Sequence, residues 1–154
     1  MKQDHEIWMR HALAQAEKAY EAGEVPIGAV VVSENRIIGR GYNQREGLND
    51  PTAHAEMIAI TAAANTLGDW RLSDCLLYVT KEPCPMCAGA IVKARLKQVV
   101  FGCYDEQEGC CGSLYQLCGD PRFKTQVAVK GGILEQECKS IIKQLFQNKR
   151  KINL

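Results

Sequence analysis

Four side chains in this sequence have the types and spacing for metal-assisted chemistry: His54, Glu56, Cys84 and Cys87. Cys84 and Cys87 stand three apart at what reads as the start of a helix, where positions i and i+3 share one face, so both sulfurs can reach one ion. Two ligands leave a shell incomplete. His54 can supply a third, and one imidazole with two thiolates leaves the fourth tetrahedral position of Zn²⁺ for water, the arrangement of a catalytic site. Two thiolates also cancel the formal charge of the ion, so it acidifies water less than an all-histidine site would, and a nearby base becomes useful. Glu56 is the candidate: its carboxylate can take a proton from the water, leave hydroxide as the nucleophile, and return the proton to a leaving group. The plainer reading of the two cysteines is a structural zinc knuckle, with Cys75, Cys103 or the Cys110-Cys111 pair supplying further thiols. That reading gives Glu56 no task.

The elements that must position these groups follow from periodicity. Residues 4–22 carry Trp8, Ala12, Ala16 and Ala19 at helical spacing, with Asp4 as a cap and Gly23 as a stop. His5 and His11 on that helix have no ligand motif around them and are given no role. Two β-branched runs, 28–33 and 36–42, read as a hairpin around Glu34-Asn35, which delivers Asn43 to a polar loop ahead of His54. Asp50-Pro51 looks like an N-cap followed by proline at the first helical position, predicting a helix from there to Leu67 with His54 and Glu56 in its first turns. Residues 75–80 form an apolar run fit for a central strand, the small residues 86–94 a helix, and 99–103 another strand. A short helical piece is expected over 113–118, a strand over 126–130, and an amphipathic helix over 134–148 with a cationic end at Lys149, Arg150 and Lys151. Strands separated by helices of about ten residues imply right-handed crossovers and parallel pairing in part of the sheet.

The composition narrows the class. With 154 residues the chain reads as one domain, 1–154, large enough to bury a core without disulfide staples. A formal net charge of +1 excludes binding nucleic acid by bulk positive charge alone, so any such partner is met locally. Eight cysteines with no apolar leader ahead of them, and no run fit to span a bilayer, point to a cytoplasmic protein with reduced thiols. Cys75, Cys103, Cys110, Cys111, Cys118 and Cys138 then read as buried small apolar side chains or incidental thiols.

His54-Ala-Glu56 with Pro83-Cys-Pro-Met-Cys87 matches the H-x-E and P-C-x-x-C signature of zinc-dependent deaminases. From Val25 to Arg150 the chain resembles the bacterial tRNA-specific adenosine deaminases of the cytidine deaminase superfamily. The segments are Val25-Pro-Ile-Gly-Ala-Val, Asp50-Pro-Thr-Ala-His-Ala-Glu56, Glu82-Pro-Cys-Pro-Met-Cys-Ala-Gly-Ala90, Val99-Val-Phe-Gly102, Asp105 and Gly112-Ser-Leu114. The resemblance implies a three-layer α/β/α cytidine-deaminase-like fold, with a mixed sheet of about five strands and helices on both faces. It implies one Zn²⁺ per subunit held by His54, Cys84 and Cys87, and hydrolytic deamination of wobble adenosine to inosine by a zinc-bound hydroxide with Glu56 as proton carrier. By the same resemblance Asn43 meets the target base, Asp105 a flanking ribose, and Phe146, Lys149 and Arg150 the anticodon loop of tRNA, in a homodimer with no membrane attachment. Phe146 can equally be a core residue, since its neighbours Ile142 and Leu145 are apolar at helical period. Lys81, Pro85 and the Leu145-Phe146 pair depart from the family pattern and bear on RNA affinity. The alternatives are a deaminase of a free nucleobase or nucleoside, guanine or cytidine in type, and a non-catalytic zinc-stabilised RNA-binding module.

Overall fold

The computed structural model describes residues 2–152, with side chains described over 4–149. Its order is α1 (Lys2–Glu21), β1 (Gly28–Ser33), β2 (Arg36–Tyr42), α2 (Arg45–Leu48), α3 (Ala55–Leu67), β3 (Leu76–Lys81), α4 (Pro85–Lys93), β4 (Gln98–Cys103), β5 (Ala128–Lys130) and α5 (Glu135–Ile152). The hairpin is as expected: Glu34 and Asn35 have φ of 50° and 61°, the left-handed pair that lets a two-residue turn follow the twist of its strands. The sheet runs β2-β1-β3-β4-β5. β1 pairs antiparallel with β2 and β3, while β4 pairs parallel with β3 and β5, which makes the sheet mixed.

Period-two alternation divides the strands between two cores. Ala29, Val31, Leu77, Val79, Val99 and Phe101 pack with Ala55, Ala59, Ala63, Ala88 and Ile91 of α3 and α4. Val30, Val32, Tyr78 and Val100 turn the other way, onto Met9 and Ala12 of α1 and Cys138 of α5. Helices therefore cover both faces of the sheet, and the strands between them read as continuous apolar runs. The alanines of α3 have a steric reason. A Cβ on Gly39 or Gly41 would lie 2.4 Å from the carbonyl oxygen of Ala59 or Ala55, so strand and helix backbones approach at small residues on both sides.

Three local expectations are corrected. α3 begins at Ala55 rather than Pro51, because the Asp50 carboxylate accepts from the Thr52 amide at 2.8 Å and its hydroxyl at 2.7 Å, turning 50–52 into a separate turn. Asp4 lies in the first turn of α1, which starts at Lys2. Residues 113–118 do not form a helix: Cys111 and Gln116 make an isolated antiparallel bridge. The polar loop after Asn43 also holds a short helix, α2, which periodicity had no power to show. Parallel strands β3 and β4 end on the same edge of the sheet, and the segments that leave them carry Cys84 and Asp105. That edge, beyond the carboxyl ends of parallel strands, is where α/β sheets place ligands.

Candidate active site

His54 and Cys84 are the N-cap residues of α3 and α4, each with extended backbone and no side-chain cap. Uncapped first-turn amides thus point toward the same place from two helices, and their dipoles favour negative charge there. The Nδ1 of His54 lies 3.6 Å from the Cys84 sulfur and 3.5 Å from the Cys87 sulfur. A tetrahedral ion with nitrogen and sulfur ligands at ordinary bond lengths has an N···S edge of about 3.6 Å, so the three groups stand at the separation that one ion requires. Among the described residues this is the one His/Cys/Asp/Glu group gathered closely enough to hold a metal ion. The donors are also chemically ready. A hydrogen bond from Cys87, joined by His54, pulls the Cys84 thiol down to about 4 against the cost of its burial, while sharing that proton pushes Cys87 up. The hydrogen bond with Cys84 raises His54.

Glu56, in the first turn of α3, is 4% exposed and lines a cavity of about 170 Å³ with His54 and Cys84. Burial pushes its carboxyl above the usual range, and the Cys84 charge adds to that. Asn43 is buried on the same wall. Its amide nitrogen donates to the Val25 carbonyl at 3.2 Å and its oxygen accepts the Arg45 amide at 3.4 Å, which fixes the carboxamide against the cavity. Asp105 also lines the cavity, paired with Lys81 at 3.2 Å. Although burial raises its carboxyl, hydrogen bonds from the Gln107 amide and Lys81 outweigh that and lower it.

Ile142 and Phe146 bring α5 to the cavity from the opposite layer, and Phe146 stays 48% exposed there. A core position for Phe146 is thereby corrected: Leu145 takes the buried site and Phe146 turns to the opening. Lys149 is exposed on α5 and does not line the cavity. Arg150 is on α5, but its side chain lies outside the described residues.

Two carboxylates that sequence reasoning missed brace the cavity walls. Glu82 is buried and accepts from the amides of Asp105 at 3.0 Å, Cys111 at 3.1 Å and Ser113 at 2.9 Å, and from the Ser113 hydroxyl at 2.5 Å. Glu24 is buried and accepts from the amides of Glu46 at 3.0 Å and Gly47 at 2.7 Å, holding α2 in place beside Asn43. The only hint in the sequence is an acid directly before Pro83-Cys84. Of the other thiols, Cys111 and Cys118 lie 3.7 Å apart and are both buried.

Comparisons with known proteins agree with this geometry. Residues 3–150 match the family model of the MafB19-like deaminases. The chain is 49% identical over 151 residues to the tRNA-specific adenosine deaminase of Bacillus subtilis, an alignment that covers 98% of this chain and 93% of that protein. A solved structure from studies of A-to-I editing by tRNA:A34 deaminases at the wobble position is 42% identical, with a TM-score of 0.83 over 87% of this chain and 97% of the other. The X-ray structure of guanine deaminase from Bacillus subtilis is 45% identical with a TM-score of 0.62, but over only 65% of this chain and 64% of its own.

Proposed function

Because the chain belongs to the MafB19-like deaminases and, within nearly its full length, to the tRNA-specific adenosine deaminases, we propose that it hydrolyses the wobble adenosine of tRNA to inosine and releases ammonia. It is an enzyme, working as a single deaminase domain. The observation that carries the reading is one cavity that joins the His54-Cys84-Cys87 group and the buried Glu56 to Asn43 and to an exposed aromatic, Phe146.

The ion proposed for the three ligands is Zn²⁺, one per subunit, since an imidazole and two thiolates in a tetrahedral set suit it. When bound, zinc supplies the Lewis acidity that activates water for attack on the purine. Glu56 carries the protons: its carboxylate takes one from the water, delivers it to the ring nitrogen, and hands the second to the departing amine. Its burial keeps bulk water from competing for that proton. The Asn43 carboxamide offers both a donor and an acceptor to a purine edge. Phe146 offers a face for stacking, and Lys149 and Arg150 continue α5 with positive charge toward the anticodon loop. A wobble adenosine sits in a single-stranded loop, so turning it into the cavity costs little.

The proposed enzyme works as a homodimer in the cytoplasm, where it meets tRNA. Among the described residues, no helix is long and apolar enough to cross a membrane. Guanine deamination is the second reading, favoured by the likeness to the Bacillus subtilis enzyme. Mass analysis of the product separates them. Zinc-loaded protein should convert an anticodon stem-loop to its inosine form and leave one with cytidine at the wobble position unchanged. Turnover of free guanine with an unaltered stem-loop would replace the tRNA reading.

A further inference from the structure

Lys81 stands in the cavity wall on strand β3, whose pairing with Cys103 of β4 fixes where its side chain leaves the sheet. Its ammonium lies 3.2 Å from Oδ2 of Asp105, and the side chain is 29% exposed. Two neighbouring carboxylates, Asp105 and Glu82, already have other donors. Oδ1 of Asp105 accepts the amides of Gln107 at 3.0 Å and Glu108 at 3.2 Å, and Glu82 is saturated by four donors. A lysine ammonium has three N–H donors in total, so one held by Asp105 leaves two for a further acceptor.

The charge balance of the cavity gives those donors a use. Glu56 and Glu82 of its lining are buried, which leaves Asp105 and Glu108 facing Arg45 and Lys81 nearer the opening. A free base is neutral and meets this wall without penalty. A nucleotide inside a strand brings a phosphodiester to each side of the base, and the carboxylates of Asp105 and Glu108 repel it unless a cation faces it.

We propose that Lys81 is a specificity residue of the site: held in place by Asp105, it donates to a phosphodiester flanking the inserted nucleotide and so selects a base within an RNA strand over a free base or nucleoside. This rests on the tRNA reading above. Asp105 acts as the positioning group for the ammonium, and the β3 register keeps the contact on the strand side of the cavity.

Steady-state kinetics on an anticodon stem-loop across a salt series test it, with metal content and melting temperature as checks on folding. K81M should raise KM about tenfold and leave kcat within about twofold. It should also lower the slope of log affinity against log salt by about 0.7, the share of one phosphate contact on a single strand. Lys81→Arg, which keeps a cation with more donors, should restore most of both. Equal KM and salt slope in K81M and wild type overturn the proposal. So does recovery of wild-type KM in the K81M, D105N double variant, since Lys81 would then serve only to neutralise Asp105. If wild-type protein itself makes no inosine from the stem-loop, the tRNA reading falls first and takes this inference with it.

Discussion

The helices on the two faces of the sheet differ in character, and the difference divides the work of the site. α3 and α4 are apolar nearly all round, from Ala55 to Leu67 and from Pro85 to Lys93, whereas α1 and α5 carry charge on their outer sides. The first pair points its N-termini at the cavity and supplies His54, Glu56, Cys84 and Cys87. Among the described residues, the second pair reaches the cavity only through Ile142 and Phe146 of α5. On the proposed function, chemistry comes from helix ends, which deliver fixed dipoles and rigid backbone. On the same proposal, recognition comes from a helix side, where a long amphipathic element can pack its inner stripe on the sheet and still present a side chain at the rim. Losses on the first face should appear in kcat, and losses on the second in KM.

Glu56→Ala tests the first half and carries the largest effect. General acid–base catalysis of this kind contributes about 10²–10⁴-fold, so kcat for inosine formation should fall by at least that range while the three ligands retain the metal. Unchanged turnover at full metal content would remove the proton carrier from the mechanism. Glu82→Gln comes next. It replaces an acceptor of four hydrogen bonds by a group whose NH₂ faces donors, and should cost about 1–3 kcal/mol of stability. Hydrogen exchange at the amides of Asp105, Cys111 and Ser113 should speed up, with KM rising more than kcat falls. Protection equal to wild type at those amides would show that the loop holds itself. Phe146→Ala should raise KM about tenfold for the stem-loop, the share of one base–aromatic stack, with kcat within about twofold. A kcat loss exceeding the KM gain would erase the division between the faces.

The comparison also explains what could be read from the sequence. The gathering of His54, Cys84 and Cys87 was legible because residue type and short spacing carry it: Cys84 and Cys87 share a first turn, and His54 and Glu56 flank one N-terminus. The start of α3 was not, because Asp50-Pro51 has every mark of a cap and yet Asp50 spends its carboxylate on Thr52. That keeps His54 extended at the N-cap instead of inside the helix. Glu82 and Glu24 were invisible for another reason. Their partners are backbone amides 22–31 residues away, and any residue could supply those amides. Phe146 shows the limit of periodicity, which identified the apolar stripe of α5 but not that Leu145 would fill the core and leave its neighbour at the rim. The strands were legible as continuous apolar runs, and period two then sends Val30 and Val31 to opposite cores.

The smallest effect tests whether the second face is separate from the chemistry. Tyr78 on β3 turns its hydroxyl toward α1, 2.8 Å from Nδ1 of His5, on the side of the sheet away from the ligand set. Burial, with the charge of Asp4, pushes the Tyr78 phenol up to about 12, against about 10 for an unfolded tyrosine. Between those values the unfolded chain has lost this proton and the folded chain still holds it. Stability therefore falls as pH rises from about 10 to 12, by about 2 kcal/mol from this group. At the other end, burial lowers His5, helped by Lys130, so that the unfolded chain takes up a proton first and stability falls again as pH drops below about 6.5. Tyr78→Phe should lose its own part of the alkaline decline, read as the difference between variant and wild type in denaturant midpoints at pH 8, 10 and 12. At pH 7.5 the same variant should keep its metal and its KM, since His5 and Tyr78 do not line the cavity. A change in kcat there would mean that packing under α1 sets the geometry of the helix ends across the sheet, and that the two faces act as one.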